Sequence, residues 1–191
     1  EEIGRVMAEG AHFGGYRWDE YISKNENGKD RPAKLEVAVL EKDSKAARKL
    51  DNGIKAGNII GTAQNYARTI ANRPANIINP PSLAAEAQKL AKGTSGLSCQ
   101  VWDEKKLKDN KMGGILAVGT GSATGPRLIV LKYKPRGRKK SGQKRIALVG
   151  KAITFDSGGI SLKPSAKMDA MKYDKTGGIT VLGSMKAVAE L

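Results

Sequence analysis

A chain of 191 residues, 39% of them hydrophobic, can bury a core, which excludes wholesale disorder. Lysine and arginine number 34 against 19 aspartates and glutamates; this balance of +15 admits nucleic acid or an acidic membrane surface as a partner but specifies no chemistry. One cysteine, Cys99, rules out an internal disulfide and suits a reducing compartment, while one histidine, His12, excludes His-rich zinc sites and argues against a Ser-His-Asp triad.

Residues 1–22 read as a helix with glycine interruptions. Lys34–Leu40 alternates apolar and polar at period two, which predicts a strand. From Ser44 to Asn72 the period lengthens to that of a helix, with Ile59, Ala63, Tyr66, Ala67 and Ile70 near one face. A proline-studded connection, Arg73–Pro81, leads to Ser82, a plausible N-cap for a helix over Leu83–Ala91. There follow a predicted strand at Leu97–Trp102, a short helix at Glu104–Asn110, and strands at Ile115–Val118, Leu128–Tyr133 and Ile146–Val149. A last helix starts near Gly178. Strands interleaved with helices predict an α/β fold, a mixed and largely parallel sheet with flanking helices.

Cys99 falls within a predicted strand, where a small buried hydrophobe is the better reading than a nucleophile. No apolar run approaches the roughly 18 residues that would span a bilayer, and no membrane partner is expected. No signal peptide is visible, and the opening Glu1-Glu2-Ile3 lacks an initiator Met, which reads as a processed or excised piece. Between Lys132 and Arg145 stand eight basic residues and no acidic one. With Pro135, Gly137 and Gly142 the segment reads as a solvated hairpin-type loop; a phosphate-contacting role lacks the interleaved aromatics that stack bases.

The chemistry concentrates between Val149 and Gly178. A hydrophobic run ends at Val149, a glycine-rich turn follows, and Lys151, Asp156, Lys163 and Asp174 lie within the next residues. Ligand sites of α/β proteins gather at such strand ends. Asp156-Ser157-Gly158-Gly159 is equally good turn chemistry, and a lysine at a strand end ordinarily faces water, so composition and spacing leave a metal or phosphate site as one reading among several. A Walker-type phosphate loop is absent.

The run Val149-Gly150-Lys151, then Thr154-Phe155-Asp156-Ser157-Gly158-Gly159-Ile160-Ser161, Lys163-Pro164 and Met171-Lys172-Tyr173-Asp174 resembles the central signature of the leucyl (cytosol) aminopeptidase family. The likeness extends to Ala67–Asn76 with Pro80 and Leu83-Ala84, to Gly119–Ser122 with Pro126–Ile129, and to Glu9–Ala11 with Tyr16 and Tyr21. It implies a catalytic-domain part over 61–191, preceded by an interdomain helix and the end of an N-terminal domain over 1–60. It implies hydrolytic release of N-terminal residues from peptides at a centre of two divalent ions, Mn, Zn or Mg. Lys151, Asp156 and Asp174 match metal ligands, Asp156 the carboxylate shared by both ions. Lys163 matches the lysine that polarises the scissile carbonyl, and Met171 a residue lining the pocket for the substrate's N-terminal side chain; on residues alone, core packing is the reading for Met171. A cytoplasmic homo-oligomer, a hexamer, is implied as well.

These roles are physically consistent. Lys151 would coordinate as a neutral amine, and taking a lysine from about 10.4 to neutrality at pH 7 costs about 4.6 kcal/mol, which a neighbouring dication can supply. Lys163 would act as a cation. The family's later Asn-Thr-Asp-Ala-Glu-Gly-Arg motif, which adds ligands, is not in the chain, so the 191 residues alone are expected to be inactive. Ala152 stands where the family commonly has Gly, and Lys175 and Thr176 where it more often has Met and a small residue; an extra lysine there could weaken cation binding or reshape the pocket. The alternatives are a basic DNA-binding protein, or a non-catalytic assembly protein, on the same fold.

Overall fold

The computed structural model describes residues 1–23, 36–135, 137 and 144–191. It divides into two compact units, Glu1–Asn65 and Tyr66–Leu191.

In the first unit, helix α1 (Glu2–Gly15) lies along α2 (Ser44–Asn72), whose bounds are those its periodicity predicts and whose last residues enter the second unit. The approach is close because both helices present glycine. A Cβ on Gly53 would stand 1.8 Å from the carbonyl oxygen of Glu1, and one on Gly57 2.4 Å from that of Arg5. Two turns further, Asn65 donates its side-chain amide to the carbonyl of His12 at 3.0 Å. Of the expected strand at Lys34–Leu40, residues 34 and 35 lie outside the described residues, and 36–40 form no ladder. Val37 and Leu40 are exposed; alternation alone makes no strand where no neighbouring backbone takes up the hydrogen bonds.

The second unit begins at the end of α2. Helix α3 (Pro80–Gly93) starts with a capping box: Asn79 Oδ1 accepts the Ser82 N–H at 3.0 Å, and Ser82 Oγ accepts the Asn79 N–H at 2.9 Å. The cap is therefore Asn79 rather than Ser82, with Pro80 at a position whose missing N–H costs nothing. Strands β1 (Leu97–Trp102) and β2 (Leu128–Tyr133) pair antiparallel, Leu97 opposite Tyr133 and Trp102 opposite Leu128. The α/β class holds, but this two-stranded ladder is the sheet of the described residues, where a largely parallel one was expected.

Between the strands lie α4 (Glu104–Asp109), capped by Asp103, and α5 (Gly113–Gly119). The latter replaces the strand expected at Ile115–Val118: four apolar residues satisfy either period, and here the Leu116 N–H bonds to the Met112 carbonyl. Ile146–Val149 also forms no ladder, and Ile146 and Val149 are exposed. Half of the basic segment Lys132–Arg145 falls outside the described residues. After a 3₁₀ helix (Met168–Lys175) comes α6 (Thr176–Glu190).

Ile70 and Ala71 of α2, Ile78 of the connection after it, Leu83 and Ala87 of α3, and Ile179 and Leu182 of α6 form the core, against which Cys99, Ile129 and Leu131 of the ladder pack. Each buried Ile or Leu stabilises by about 1.5–3 kcal/mol, whereas a lone pair of strands is marginal, so this cluster holds the unit together. It also seats the 3₁₀ helix and the start of α6 beside the end of α2.

Candidate functional site

The site is built from three short pieces of chain. The first, Gly150–Ala152, runs against the opening turn of α6. A Cβ on Gly150 would meet the Gly177 carbonyl oxygen at 2.4 Å, and one on Gly178 would lie 2.6 Å from the Ala152 Cβ. This contact lets the Gly178 N–H, one of the unpaired amides at the helix start, donate to the Lys151 carbonyl at 2.6 Å. The backbone of Lys151 is thereby fixed while its side chain stays largely exposed.

The second piece is the turn from Asp156 to Lys163. Asp156 Oδ1 accepts the Gly158 N–H at 2.9 Å, Gly158 and Gly159 adopt φ of +103° and +137°, and the Lys163 N–H closes the loop on the Ser157 carbonyl at 2.9 Å. Only glycine takes up such φ values freely. The closure returns Lys163 to Asp156, with Nζ 2.8 Å from Oδ2. Hydrogen bonding from Lys163 holds the Asp156 carboxyl below the usual carboxylate range; the Gly158 N–H and the charges of Lys163 and Lys151 act in the same direction.

The third piece is the 3₁₀ helix. With about three residues per turn, side chains three apart eclipse, so Met171 and Asp174 share an edge. Along that edge Met171 Sδ lies 3.1 Å from Lys163 Nζ, and Asp174 Oδ2 lies 2.8 Å from Lys151 Nζ. The five residues singled out from sequence thus meet as two clusters, Lys163 with Asp156 and Met171, and Lys151 with Asp174. The charge of Lys151 acts on Asp156 as well.

Sequence reasoning gave Tyr173 no role and took Lys175 as an extra lysine facing the site. Tyr173 Oη donates to Asn72 Oδ1 at 2.9 Å. Lys175 is wholly buried and donates from Nζ to the carbonyls of Ala71 and Arg73 at 2.9 Å and of Lys172 at 2.5 Å. Burial, assisted by the charge of Lys172, pushes its pKa down to about 8. The lysine beside Asp174 therefore points toward the end of α2. No local pattern marks it; only the apolar run after Gly178 hints that the helix start is buried.

A divalent cation can be tested against these donors. Asp174 Oδ2 is buried and pairs with the Lys151 ammonium at 2.8 Å, a carboxylate and an amine that a cation could share. A cation between Asp174, Lys151 and Asp156 would meet two carboxylates and an amine, a donor set suited to Mn, Zn or Mg. The fit is partial: among the described residues no three or more His, Cys, Asp or Glu side chains gather in one place. A shallow hollow of about 490 Å³ lies elsewhere, lined by Asp103, Glu104, Lys108 and Arg127, and holds none of the site residues.

Comparison with known proteins bears on the same segment. The family model described as cytosol aminopeptidase family, catalytic domain, matches residues 65–191. A probable cytosol aminopeptidase of Aquifex aeolicus is 47% identical over 191 residues, all of this chain and 36% of the relative. Another, of Chlorobaculum tepidum, is 40% identical and is covered to 38%. The chain thus spans little more than a third of these relatives. Among solved structures, the bottromycin maturation enzyme BotP in complex with Mn superposes with a TM-score of 0.77 at 34% identity, over 97% of this chain and 36% of that one.

Proposed function

The chain belongs to the cytosol aminopeptidase family, and from that premise we propose that it forms part of a metal-dependent leucyl aminopeptidase, which releases N-terminal residues from peptides. The observation that carries the reading is that three pieces of chain bring Lys163 to Asp156 and Met171, and Lys151 to a part-buried Asp174.

In this reading Asp156, Asp174 and Lys151 hold divalent ions, which when bound lend Lewis acidity to a carbonyl and acidify water. Lys163 presents its ammonium to the oxygen of the scissile carbonyl, where negative charge develops during attack. Asp156 and the closed glycine turn orient that ammonium. Met171, within 3.1 Å of it, offers an apolar wall to the substrate's first side chain. Two carboxylates and one amine are too few donors for two ions, so the 191 residues alone are catalytically silent in this proposal.

The relatives' names carry the word cytosol, which supports a cytoplasmic setting. No helix among the described residues is long and apolar enough to cross a membrane. A homo-hexamer belongs to the same proposal and is checked by the mass of the complete protein in solution.

The deciding assay is release of leucine from a leucyl peptide by the complete protein. Turnover that a chelator abolishes and Mn²⁺ restores is expected. Turnover indifferent to chelation, or no turnover with any of Mn²⁺, Zn²⁺ and Mg²⁺, overturns the proposal.

A further inference from the structure

Lys175 is the largest side chain that no solvent reaches among the described residues. A buried ammonium is costly unless its protons are taken, and here three carbonyl oxygens take them. Two of these, from Ala71 and Arg73, stand at the C-terminal end of α2, where the last carbonyls of a helix lack partners and its dipole is negative. The last turn of α2 contains no basic residue of its own, so a cation from 102 to 104 positions away completes it.

The neighbour on the other side of Asp174 is tied to the same place, since Tyr173 Oη bonds to Asn72. In a 3₁₀ helix residues 173, 174 and 175 point about 120° apart. With the first and third anchored to the end of α2, the Asp174 side chain takes the remaining direction, toward Lys151. Asp174 Oδ2 is buried and faces the Lys151 ammonium at 2.8 Å, so the two anchors set the direction that this ion pair takes up.

We propose that Lys175, assisted by Tyr173, is a positioning residue that holds the Asp174 carboxylate in place for a divalent cation by anchoring the 3₁₀ helix to the end of α2. This rests on the metallopeptidase reading. It goes beyond that reading by giving a metal-site task to a residue that touches neither cation nor substrate. Residues behind metal ligands commonly govern affinity by about 10- to 100-fold.

The test is titration of the complete protein with Mn²⁺ alone, by calorimetry and by the electron-spin resonance of free Mn²⁺, well below the unfolding temperature of every variant. Lys175→Ala removes the ammonium and its three hydrogen bonds without restoring the methionine common in the family, and is expected to weaken Mn²⁺ binding by about tenfold or more. Ile179→Ala, a cavity in the same core, is expected to lower stability and leave Mn²⁺ affinity unchanged, which separates positioning from mere loss of stability. Wild-type affinity in Lys175→Ala overturns the positioning role and leaves the metal reading standing. Equal weakening in Ile179→Ala also overturns it. A wild-type protein that takes up no Mn²⁺ overturns both. If Lys175→Ala does not fold, Tyr173→Phe decides: it removes one partly exposed tie and is expected to weaken binding roughly threefold, one hydrogen bond's effect. Unchanged affinity there overturns the proposal.

Discussion

Lys163 Nζ lies 2.8 Å from Asp156 Oδ2, and the six residues between them form a turn closed by its own backbone bonds. The ion pair is about two-thirds screened from water, so its partners hold each other in direction more than in energy. A lysine oriented in this way is suited to meet a charge that develops only during reaction.

Lys163→Met keeps the length of the side chain and removes its charge. If the ammonium acts on the developing oxyanion, kcat for a leucyl peptide falls by about 10²- to 10³-fold, while KM changes little. Steady-state kinetics on the complete, Mn²⁺-loaded protein provide the check. A loss confined to KM would assign Lys163 to ground-state binding instead.

Gly150→Ala probes the other end of the site. The added Cβ would stand 2.4 Å from the Gly177 carbonyl oxygen and 2.6 Å from its carbonyl carbon, and backbone cannot rotate away as a side chain does. Overpacking of this kind costs about 1–3 kcal/mol. The shift also presses on the Gly178-to-Lys151 hydrogen bond, so Lys151 should lose its register with Asp174. Denaturant unfolding with parallel Mn²⁺ titration should show both losses. Stability equal to that of the wild type would mean that Gly150 and α6 do not pack this closely.

These contacts mark where local sequence stops informing structure. The long helix over Ser44–Asn72 and the strand over Leu128–Tyr133 were legible because a helix bonds within itself and because the partner of β2, at Leu97–Trp102, is equally clear. At Ile115–Val118 four apolar residues fitted either period, and at Lys34–Leu40 and Ile146–Val149 a strand needed a neighbour that no local pattern reveals. The glycine turn at Asp156–Lys163 was readable through its residue types. Lys175 was not, since burial of a lysine depends on carbonyls more than a hundred positions away.

Tyr66 offers a prediction outside the site. Its hydroxyl is buried and without a hydrogen-bond partner among the described residues, and its pKa is pushed up to about 12, first by burial and then by the charge of Glu86, with Arg73 opposing. The ordinary tyrosine value is about 10, so the fold favours the neutral phenol. A group raised in this way contributes its stabilisation in full below the unfolded value and loses it as pH climbs from about 10 through 12. Tyr66→Phe has no proton to lose and gives up no hydrogen bond, so at pH 7 it should match the wild type or exceed it by up to about 1 kcal/mol. Other groups titrate in the alkaline range in both proteins, so the informative quantity is the difference between them. Urea unfolding of both at pH 7, 10 and 11.5 should show the advantage of phenylalanine growing across the upper interval, as the wild type alone pays to keep a phenol protonated. A difference that stays constant across the three pH values would place the Tyr66 hydroxyl in contact with water and remove the argument from burial.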